Sequence, residues 1–369
     1  MIYKIDDYSK VEKLFNNWPY PDWYTVMNLK VEIYADDPES PKSAIGFLGT
    51  WCYCVGEPNK ALITRKRKDW FGLFPQNRKW EKLIKECYPE ASMFTRYAIK
   101  HDAVFDKEKL QAMIEALPEQ YELKKIDSKV YDLCKKVTDD DLEELTDWFR
   151  SKRQFMEMGL GYAVIKDGKV VGGASTAFRF PKGIDIEIDV DKKHRRKGLA
   201  SAAAARLILD CLERGWKPTW DAANMKSVHL AEKLGYTFDY KYHCYSISPI
   251  FFKTIKNPDK SKWESYCGKY ETNCKDFKLK EVWMKDGDLY GLASNEVRRN
   301  FKFKFYPIGD STFGRRDGNA IVTFGDGFCI IDNITCQSYR MDWYGKVLVG
   351  NITRDYLLCL EKTVIAQKS

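Results

Sequence analysis

One short segment of the chain alternates strictly between apolar and acidic residues. Its positions are, in order, Ile184, Asp185, Ile186, Glu187, Ile188, Asp189 and Val190. Successive side chains of a β-strand point to opposite faces of a sheet. The period of two therefore predicts a strand with one apolar and one acidic face.

A helical pattern follows from Leu199 to Arg214. Ala203 and Leu207 recur at the spacing of successive turns, and Gly215 is placed to end the helix. The connection between strand and helix is basic and reads Arg195-Arg196-Lys197-Gly198-Leu199-Ala200. The first N–H groups of a helix have no partners inside it, and Gly198 would let a ligand approach the backbone closely. The sequence therefore predicts an anion site at this turn.

The turn resembles motif A of the GNAT superfamily of acyl-CoA-dependent N-acetyltransferases, whose consensus is Arg/Gln-x-x-Gly-x-Gly/Ala. Arg195, Gly198 and Ala200 match, whereas Arg196 occupies a position that is often glycine. A second block, from Asn224 to Tyr236, resembles motif B, in which the asparagine caps a helix and faces the cofactor. Both blocks stand in the order of the superfamily.

The resemblance implies acetyl-CoA as cosubstrate, with pantetheine beside the end of the strand and pyrophosphate at the turn. The residues implied to bind it are Ile188, Asp189, Val190, Arg195, Arg196, Lys197, Gly198, Leu199, Ala200, Asn224 and Ser227. Lys192 and Lys193 would add further cations near the phosphates.

The implied reaction is direct attack of an amine on the thioester, and an amine with a pKa near ~10 is protonated at neutral pH, so it needs a base. Glu187 is the first candidate, and Asp185 and Asp189 are reserves. Alternatively, these acids form a solvated strand face or attract a cationic acceptor without transferring a proton. Backbone N–H groups from Ile188 to Val190 would polarise the thioester carbonyl.

The general acid is less well defined. The motif B position that carries a tyrosine in many family members is Ala231 here. Candidate substitutes are Tyr236, Tyr240, Tyr242 and Tyr245. A thiolate with a pKa near ~8.5 is a tolerable leaving group, so a missing acid weakens the mechanism without refuting it.

Pattern and resemblance together divide the chain into three parts. Residues 1–120 contain amphipathic helices near Arg78 to Cys87 and Lys107 to Leu117 but no motif A turn, so they would shape the acceptor side of the cleft. Residues 121–250 contain a polar helix from Asp139 to Arg150, a hairpin at Asp167-Gly168 and the cofactor motifs. The span up to about residue 248 resembles the subfamily that includes the zwittermicin A resistance acetyltransferases.

Residues 256–369 read as short strands separated by turns, as in an all-β barrel or sandwich. They resemble the small lipocalin-like domain that follows the catalytic domain of some serine β-lactamase-like proteins, and such a barrel can be filled by side chains or hold one small ligand. The expected fold class is α+β: tandem GNAT-like α/β halves with mixed, mostly antiparallel sheets, followed by a small all-β barrel-like domain.

The composition of the chain limits the kinds of partner that we expect it to bind. The net charge of +8 is small for 369 residues, so we expect no nucleic acid, although Thr64 to Lys68 form a basic patch. The eleven cysteines form no Cys-x-x-Cys pair and there are only four histidines, which argues against a structural zinc site. The chain has neither a secretory apolar run nor a stretch of about 18 apolar residues, which favours a cytoplasmic protein with no membrane partner.

The sequence thus predicts an acetyl-CoA-dependent N-acetyltransferase that acts on a small amine-bearing molecule, such as an antibiotic or another metabolite. Two alternatives stay open. One is acetylation of a protein amine or an aminoacyl-tRNA, and the other is a non-catalytic acyl-CoA-binding protein.

Overall fold

The computed structural model describes residues 1–16, 32–48, 50–65, 71–100, 102–137, 140–149, 151–180, 182–271, 278–294, 300–317, 320–333 and 364–368. Parts of two predicted features, residues 66–68 of the basic patch and residues 139 and 150 of the polar helix, lie outside these ranges. Within them the strands form three sheets that are mostly antiparallel. The predicted mixture of helices with mostly antiparallel sheets is therefore confirmed.

The first part of the chain alternates strands with amphipathic helices. Its strands are β1 (Tyr3–Ile5), β2 (Glu32–Ala35), β3 (Ser43–Leu48), β4 (Trp51–Gly56), β5 (Phe71–Pro75) and β6 (Ser92–Ile99), and β7 (Glu122–Lys125) follows at the start of the second part. Its helices are α1 (Glu12–Asn16), α2 (Lys60–Ile63), α3 (Arg78–Cys87) and α4 (Lys107–Glu115). The predicted helices are thus present, and α3 has the expected bounds.

The second part carries the predicted cofactor motifs. Its helices are α5 (Ser128–Cys134), α6 (Asp140–Asp147), α7 (Lys152–Met158), α8 (Leu199–Glu213) and α9 (Met225–Leu234). Its strands are β8 (Gly161–Lys166), β9 (Lys169–Phe180), β10 (Gly183–Val190), β11 (Lys217–Thr219), β12 (Asp221–Ala222) and β13 (Phe238–Ile247). The β8–β9 turn has φ 49° at Asp167 and φ 73° at Gly168, which is the backbone of the predicted hairpin.

Two of these later strands join the sheet of the first part. That sheet has the order β1-β2-β3-β4-β5-β13-β6-β12. Tyr245 of β13 pairs with Leu73 of β5, and His243 pairs with Thr95 of β6. The described strands of the two predicted halves are therefore interlocked, and a domain boundary at residue 120 stays a prediction.

The remaining strands form the sheet β11-β10-β9-β8-β7. β10 runs antiparallel to β9 along its whole length, but it pairs with β11 only from Gly183 to Asp185. β11 ends at Thr219, and the chain then crosses to the first sheet as β12. From Ile186 to Val190, no strand of the described residues covers this edge of β10. The apolar face of β10 packs under α8, as the alternation predicted.

The third sheet contains the strands after residue 256. They are β14 (Gly268–Glu271), β15 (Lys278–Lys285), β16 (Asp288–Ser294), β17 (Phe301–Lys304), β18 (Tyr306–Pro307), β19 (Thr312–Gly314), β20 (Ala320–Phe324), β21 (Phe328–Asn333) and β22 (Val364–Lys368). The edge strands are β17 and β18, which are separated along the chain only by Phe305. The described strands show no pairing between these edges, so a closed barrel stays a prediction.

A short helix, α10 (Ile250–Lys253), connects β13 of the first sheet to the third sheet. Its Ile250 packs so closely that a Cβ built on Gly314 would lie 2.3 Å from the isoleucine Cδ1. On the other side, the Phe252 ring lies 6.2 Å from that of Phe71 in the first sheet. Arg316 Nη1 also lies 3.5 Å from Glu90 Oε2. The third sheet therefore contacts the first part of the chain through α10.

Candidate active site

The turn before α8 has a left-handed backbone. Gly198 is the N-cap of α8 with φ 82°, and no described side chain caps it by a hydrogen bond. A Cβ built on Gly198 would meet no atom within 4 Å. The space beside the start of α8 is therefore open, and the dipole of the helix would favour an anion there. This is the geometry of the predicted anion site.

Arg196 also has a positive φ, 64°, and its side chain is exposed. A residue with a Cβ loses roughly 1 kcal/mol in this conformation, whereas glycine does not. The unusual arginine thus keeps the backbone that glycine would favour.

Basic side chains are exposed around the turn, but one of them has a structural role. The exposed residues are Lys192, Lys193, Arg195, Arg196 and Lys197. Arg195 Nε donates to the carbonyl oxygen of Val190 at 2.8 Å, and its Nη2 lies 3.6 Å from Asp189 Oδ1. Arg195 therefore holds the end of β10, and the other cations lie around the predicted anion site.

The structure brings three further residues to this turn that were not predicted from the sequence, namely Tyr121, His194 and Lys233. Lys197 Nζ donates to the hydroxyl of Tyr121 at 3.3 Å, and His194 Nδ1 lies 3.0 Å from the same hydroxyl. Lys233 of α9 donates to Ser201 Oγ at 3.3 Å, which places a cation beside the first turn of α8. Lys233 lies inside the motif B block, but its direction depends on how the two helices pack.

Two backbone N–H groups of β10 beyond its pairing with β11 donate to side chains of the strand itself. The Ile188 N–H donates to Glu187 Oε1 at 3.1 Å, and the Val190 N–H donates to Asp189 Oδ1 at 2.7 Å. The Val190 carbonyl accepts from Arg195. An extended amide ligand at this edge would exchange these local contacts for its own, so little hydrogen bonding would be lost on binding.

The acids of β10 differ in their surroundings. Glu187 is partly exposed, and its Oε2 accepts a hydrogen bond from Trp148 Nε1 at 3.2 Å. Asp185 is 8% exposed and accepts from Thr219 Oγ1 at 3.0 Å, where β10 and β11 separate. The carboxylate with better access to the open edge is that of Glu187.

The four tyrosines proposed as general acids also lie in different places. Tyr236 donates to the carbonyl of Pro218 at 3.3 Å, and Tyr245 donates to Glu81 Oε2 at 3.2 Å. Tyr242 donates to Asp221 Oδ1 at 3.0 Å, and the Tyr240 ring lies 6.1 Å from that of Tyr242. Burial raises the pKa of Tyr236, Tyr242 and Tyr245, so their hydroxyls stay protonated.

Asp221 lies where the chain crosses between the two sheets. Burial raises the pKa of this carboxyl to about 6, against the opposing effect of Arg96. Arg96 Nε donates to Asp221 Oδ2, and the Arg96 guanidinium lies 5.1 Å from the centre of the Trp51 ring. The carboxylate is thus held by groups of the first sheet.

Motif B residues have local structural roles. Asn224 caps α9, its Oδ1 accepting from the N–H groups of Lys226 and Ser227 at 3.0 and 3.1 Å. Ser227 Oγ accepts from Trp220 Nε1 at 3.0 Å, and Ala231 is buried in the core. The predicted helix cap is confirmed, whereas contact of the predicted site residues with a cofactor stays a prediction.

In the described parts of the chain, no group of three or more His, Cys, Asp or Glu side chains could hold a metal ion. None of the helices that the structure describes is long and apolar enough to cross a membrane.

The sequence was compared with models of known protein families. The model of the GNAT acetyltransferase family matches residues 12–245, which is more than half of the chain. The chain belongs to the GNAT acetyltransferase family. GNAT acetyltransferases transfer an acetyl group from acetyl-CoA to an acceptor, and the left-handed turn and open strand edge fit such a cosubstrate.

Two relatives each match about two thirds of this GNAT chain. An uncharacterized N-acetyltransferase of Bacillus subtilis (strain 168), YdfB, is 26% identical over 260 residues, which cover 64% of this chain and 95% of YdfB. The crystal structure of a GCN5-related N-acetyltransferase-like protein from Streptococcus suis 89/1591 is 38% identical, with a TM-score of 0.58. The match covers 64% of this chain and 96% of that one. Both matches leave about a third of this chain uncovered.

Proposed function

We propose that this GNAT acetyltransferase transfers the acetyl group of acetyl-CoA to a primary amine of a small molecule, such as an antibiotic or another metabolite. The observation that carries the proposal is the open edge of β10, with the left-handed turn at one end and the Glu187 carboxylate on it.

In this proposal, pantetheine pairs with the edge of β10 and pyrophosphate binds at the start of α8. The edge residues are Ile188, Asp189 and Val190, and the turn residues are Arg195, Arg196, Lys197, Gly198, Leu199 and Ala200. Asn224 and Ser227 bind from α9, and Lys233 is added because its ammonium lies beside the first turn of α8. The exposed cations would neutralise the phosphates.

Glu187 acts as the general base, directly or through a water. It takes one proton from the ammonium, and the amine nitrogen then attacks the thioester carbon. The Ile188 N–H stabilises the negative charge that forms on the carbonyl oxygen. When the carbon–sulfur bond breaks, the second amine proton passes to the thiolate, giving an amide and coenzyme A. The candidates for a general acid that protonates the thiolate include the protonated hydroxyls of Tyr236, Tyr242 and Tyr245.

The finer assignments belong to the same proposal. The first two parts are grouped with the zwittermicin A resistance acetyltransferases, and residues 256–369 form a lipocalin-like barrel filled by its own side chains. Buried aromatic rings support the filled interior, since Trp263, Phe305 and Phe313 are each at most 1% exposed. We place the protein in the cytoplasm, where the buried thiols of Cys54, Cys134 and Cys211 would stay reduced.

The experiment is acetylation of a panel of small primary amines by the purified protein, with the released coenzyme A thiol measured over time. We expect time-dependent thiol release with at least one amine above the rate of acetyl-CoA hydrolysis. Acetylation confined to protein or aminoacyl-tRNA acceptors would contradict the small-molecule assignment. Binding of acetyl-CoA without transfer to any acceptor would contradict catalysis.

A further inference from the structure

Three partly exposed aromatic side chains form a continuous surface between the two interlocked halves. Trp148 follows α6, Phe178 lies on β9, and Trp51 lies on β4 of the first sheet. The Phe178 ring centre is 5.0 Å from that of Trp148 and 6.3 Å from that of Trp51, with interplanar angles of 61° and 66°. We call these three residues the aromatic wall.

One end of the aromatic wall reaches the candidate base. Trp148 Nε1 donates to Glu187 Oε2 at 3.2 Å. Phe178 pairs across the strands with Asp185, and alternation along β10 puts Asp185 and Glu187 on the same face. Phe178 and the two acids therefore share one face of the second sheet.

The other end is fixed by the first sheet. The Trp51 ring stacks on Phe74, with 5.0 Å between the ring centres. The Arg96 guanidinium carbon lies 5.1 Å from the centre of the Trp51 ring. Arg96 is paired with Asp221, whose side chain is 2% exposed. The charges at this end are thus matched with each other, which leaves the Glu187 carboxylate as the acid at the accessible end of the wall.

The exposure of the wall distinguishes it from the surrounding core. Phe74 and Tyr53, beside Trp51, are at most 1% exposed, whereas all three wall residues keep part of their surface accessible. Partly accessible aromatic side chains next to a carboxylate suit a ligand with an apolar body and a cationic end. The rings would bury the body, and an ammonium is attracted both to ring faces and to the carboxylate.

We infer that the aromatic wall is the acceptor subsite, and that the acceptor is a primary alkylamine with a flat aromatic body. The inference rests on the proposed function and specifies its substrate class. The body lies against Phe178 between Trp51 and Trp148, and the amine lies at Glu187. The reaction balances as above: one ammonium proton goes to Glu187 and on to solvent, and the second goes to the departing thiolate.

The test compares phenethylamine with ethanolamine as acceptors for the wild-type protein and for Phe178→Ala. We expect kcat/KM to favour phenethylamine in the wild type by about tenfold or more, and Phe178→Ala to remove that preference mainly through KM. The KM for acetyl-CoA should stay within about twofold, and kcat/KM for ethanolamine should fall by much less than kcat/KM for phenethylamine. Phe328→Ala is the matched control, since Phe328 is an exposed phenylalanine of β21.

Phe178→Leu keeps most of the volume without the ring, so it carries the same comparison if the alanine variant does not fold. An equal loss with both amines, or no preference in the wild type, would overturn the inference and leave the wall as packing between the halves.

A binding measurement separates this inference from the proposed function. Phenethylamine is titrated into the protein saturated with coenzyme A, and tryptophan fluorescence reports its binding. Binding that Phe178→Ala abolishes, without any acetylation, would support the subsite and contradict the proposed transfer to small amines. Absence of binding to the wild type, while other amines are acetylated, would overturn the subsite and leave the proposed function intact.

Discussion

Glu187 is held at the edge of its strand by two different donors. Its Oε1 accepts from the Ile188 N–H, and its Oε2 accepts from the Trp148 indole. A carboxylate on a solvated strand face would have no such fixed orientation. At the residue scale, the Trp148 contact is the one that a ligand at the strand edge would leave in place, and it would keep the proposed base in position. Asp185 is the less accessible of the two acids.

Glu187→Gln should lower turnover by about a hundredfold or more while coenzyme A affinity stays nearly constant. The amide oxygen can still accept a hydrogen bond, but the amide cannot take up the proton of the amine. Steady-state kinetics and the acidic limb of the pH–rate profile provide the measurement, and the limb should flatten.

Asp185→Asn is the control for this prediction, with a smaller effect expected, mainly on acceptor affinity. Near wild-type turnover and pH dependence in Glu187→Gln would show that the acidic face only recruits the acceptor. The base would then have to be another group.

At the scale of elements, local patterns were sufficient for most of the cofactor half. The predicted helix from Leu199 to Arg214 differs from α8 by one residue, because apolar spacing and a terminal glycine are both local signals. The strand alternation and the Asp167-Gly168 hairpin were predicted on the same basis.

Pairing between distant elements could not be read in the same way. Nothing in the sequence of Phe238–Ile247 indicates that β13 lies between β5 and β6, because the choice of partner strands is non-local. The contact of Lys233 with Ser201, and the covering of the Ile188 N–H by Glu187, likewise depend on side-chain directions that periodicity does not specify.

Asn224→Ala should lower the free energy of unfolding by about 0.5–2 kcal/mol, because it removes the cap of α9. Coenzyme A affinity should fall by less than about tenfold, as expected for one lost hydrogen bond. Urea denaturation and calorimetry measure the two effects. Asn224→Ser is the matched control because serine can still cap the helix. An unchanged unfolding free energy in Asn224→Ala would contradict the capping role.

At the scale of the whole molecule, strands and a helix from later in the chain pack on the sheet of the first part. β12 and β13 complete the sheet of the first part, and α10 packs on both that sheet and the third one. Phe251 and Phe252 belong to the apolar cluster around Phe71, although they follow the predicted boundary at residue 250. Side-chain packing, more than the change in sequence pattern, therefore decides where the chain can be divided.

Two truncations test this division. A chain that ends at Pro258 keeps both phenylalanines and should bind coenzyme A like the full chain, because the cofactor motifs all lie before residue 240. A chain that ends at Ile250 should melt several degrees lower, since it loses two partly buried phenylalanines. Each contributes part of the about 1.5–3 kcal/mol that full burial of the side chain would give. Loss of coenzyme A binding by a well-folded chain ending at Pro258 would show that the third sheet completes the site.

The central claim is that the turn at Gly198 binds the pyrophosphate of coenzyme A through the first N–H groups of α8. Calorimetric titration of coenzyme A into Gly198→Trp tests it most directly, with Gly327→Trp as the matched control. Both glycines have a positive φ, 82° and 78°, and a Cβ on either would meet no atom within 4 Å, so backbone strain is comparable. The account predicts at least about a tenfold loss of affinity in Gly198→Trp and none in Gly327→Trp. Wild-type affinity in a folded Gly198→Trp protein would contradict it.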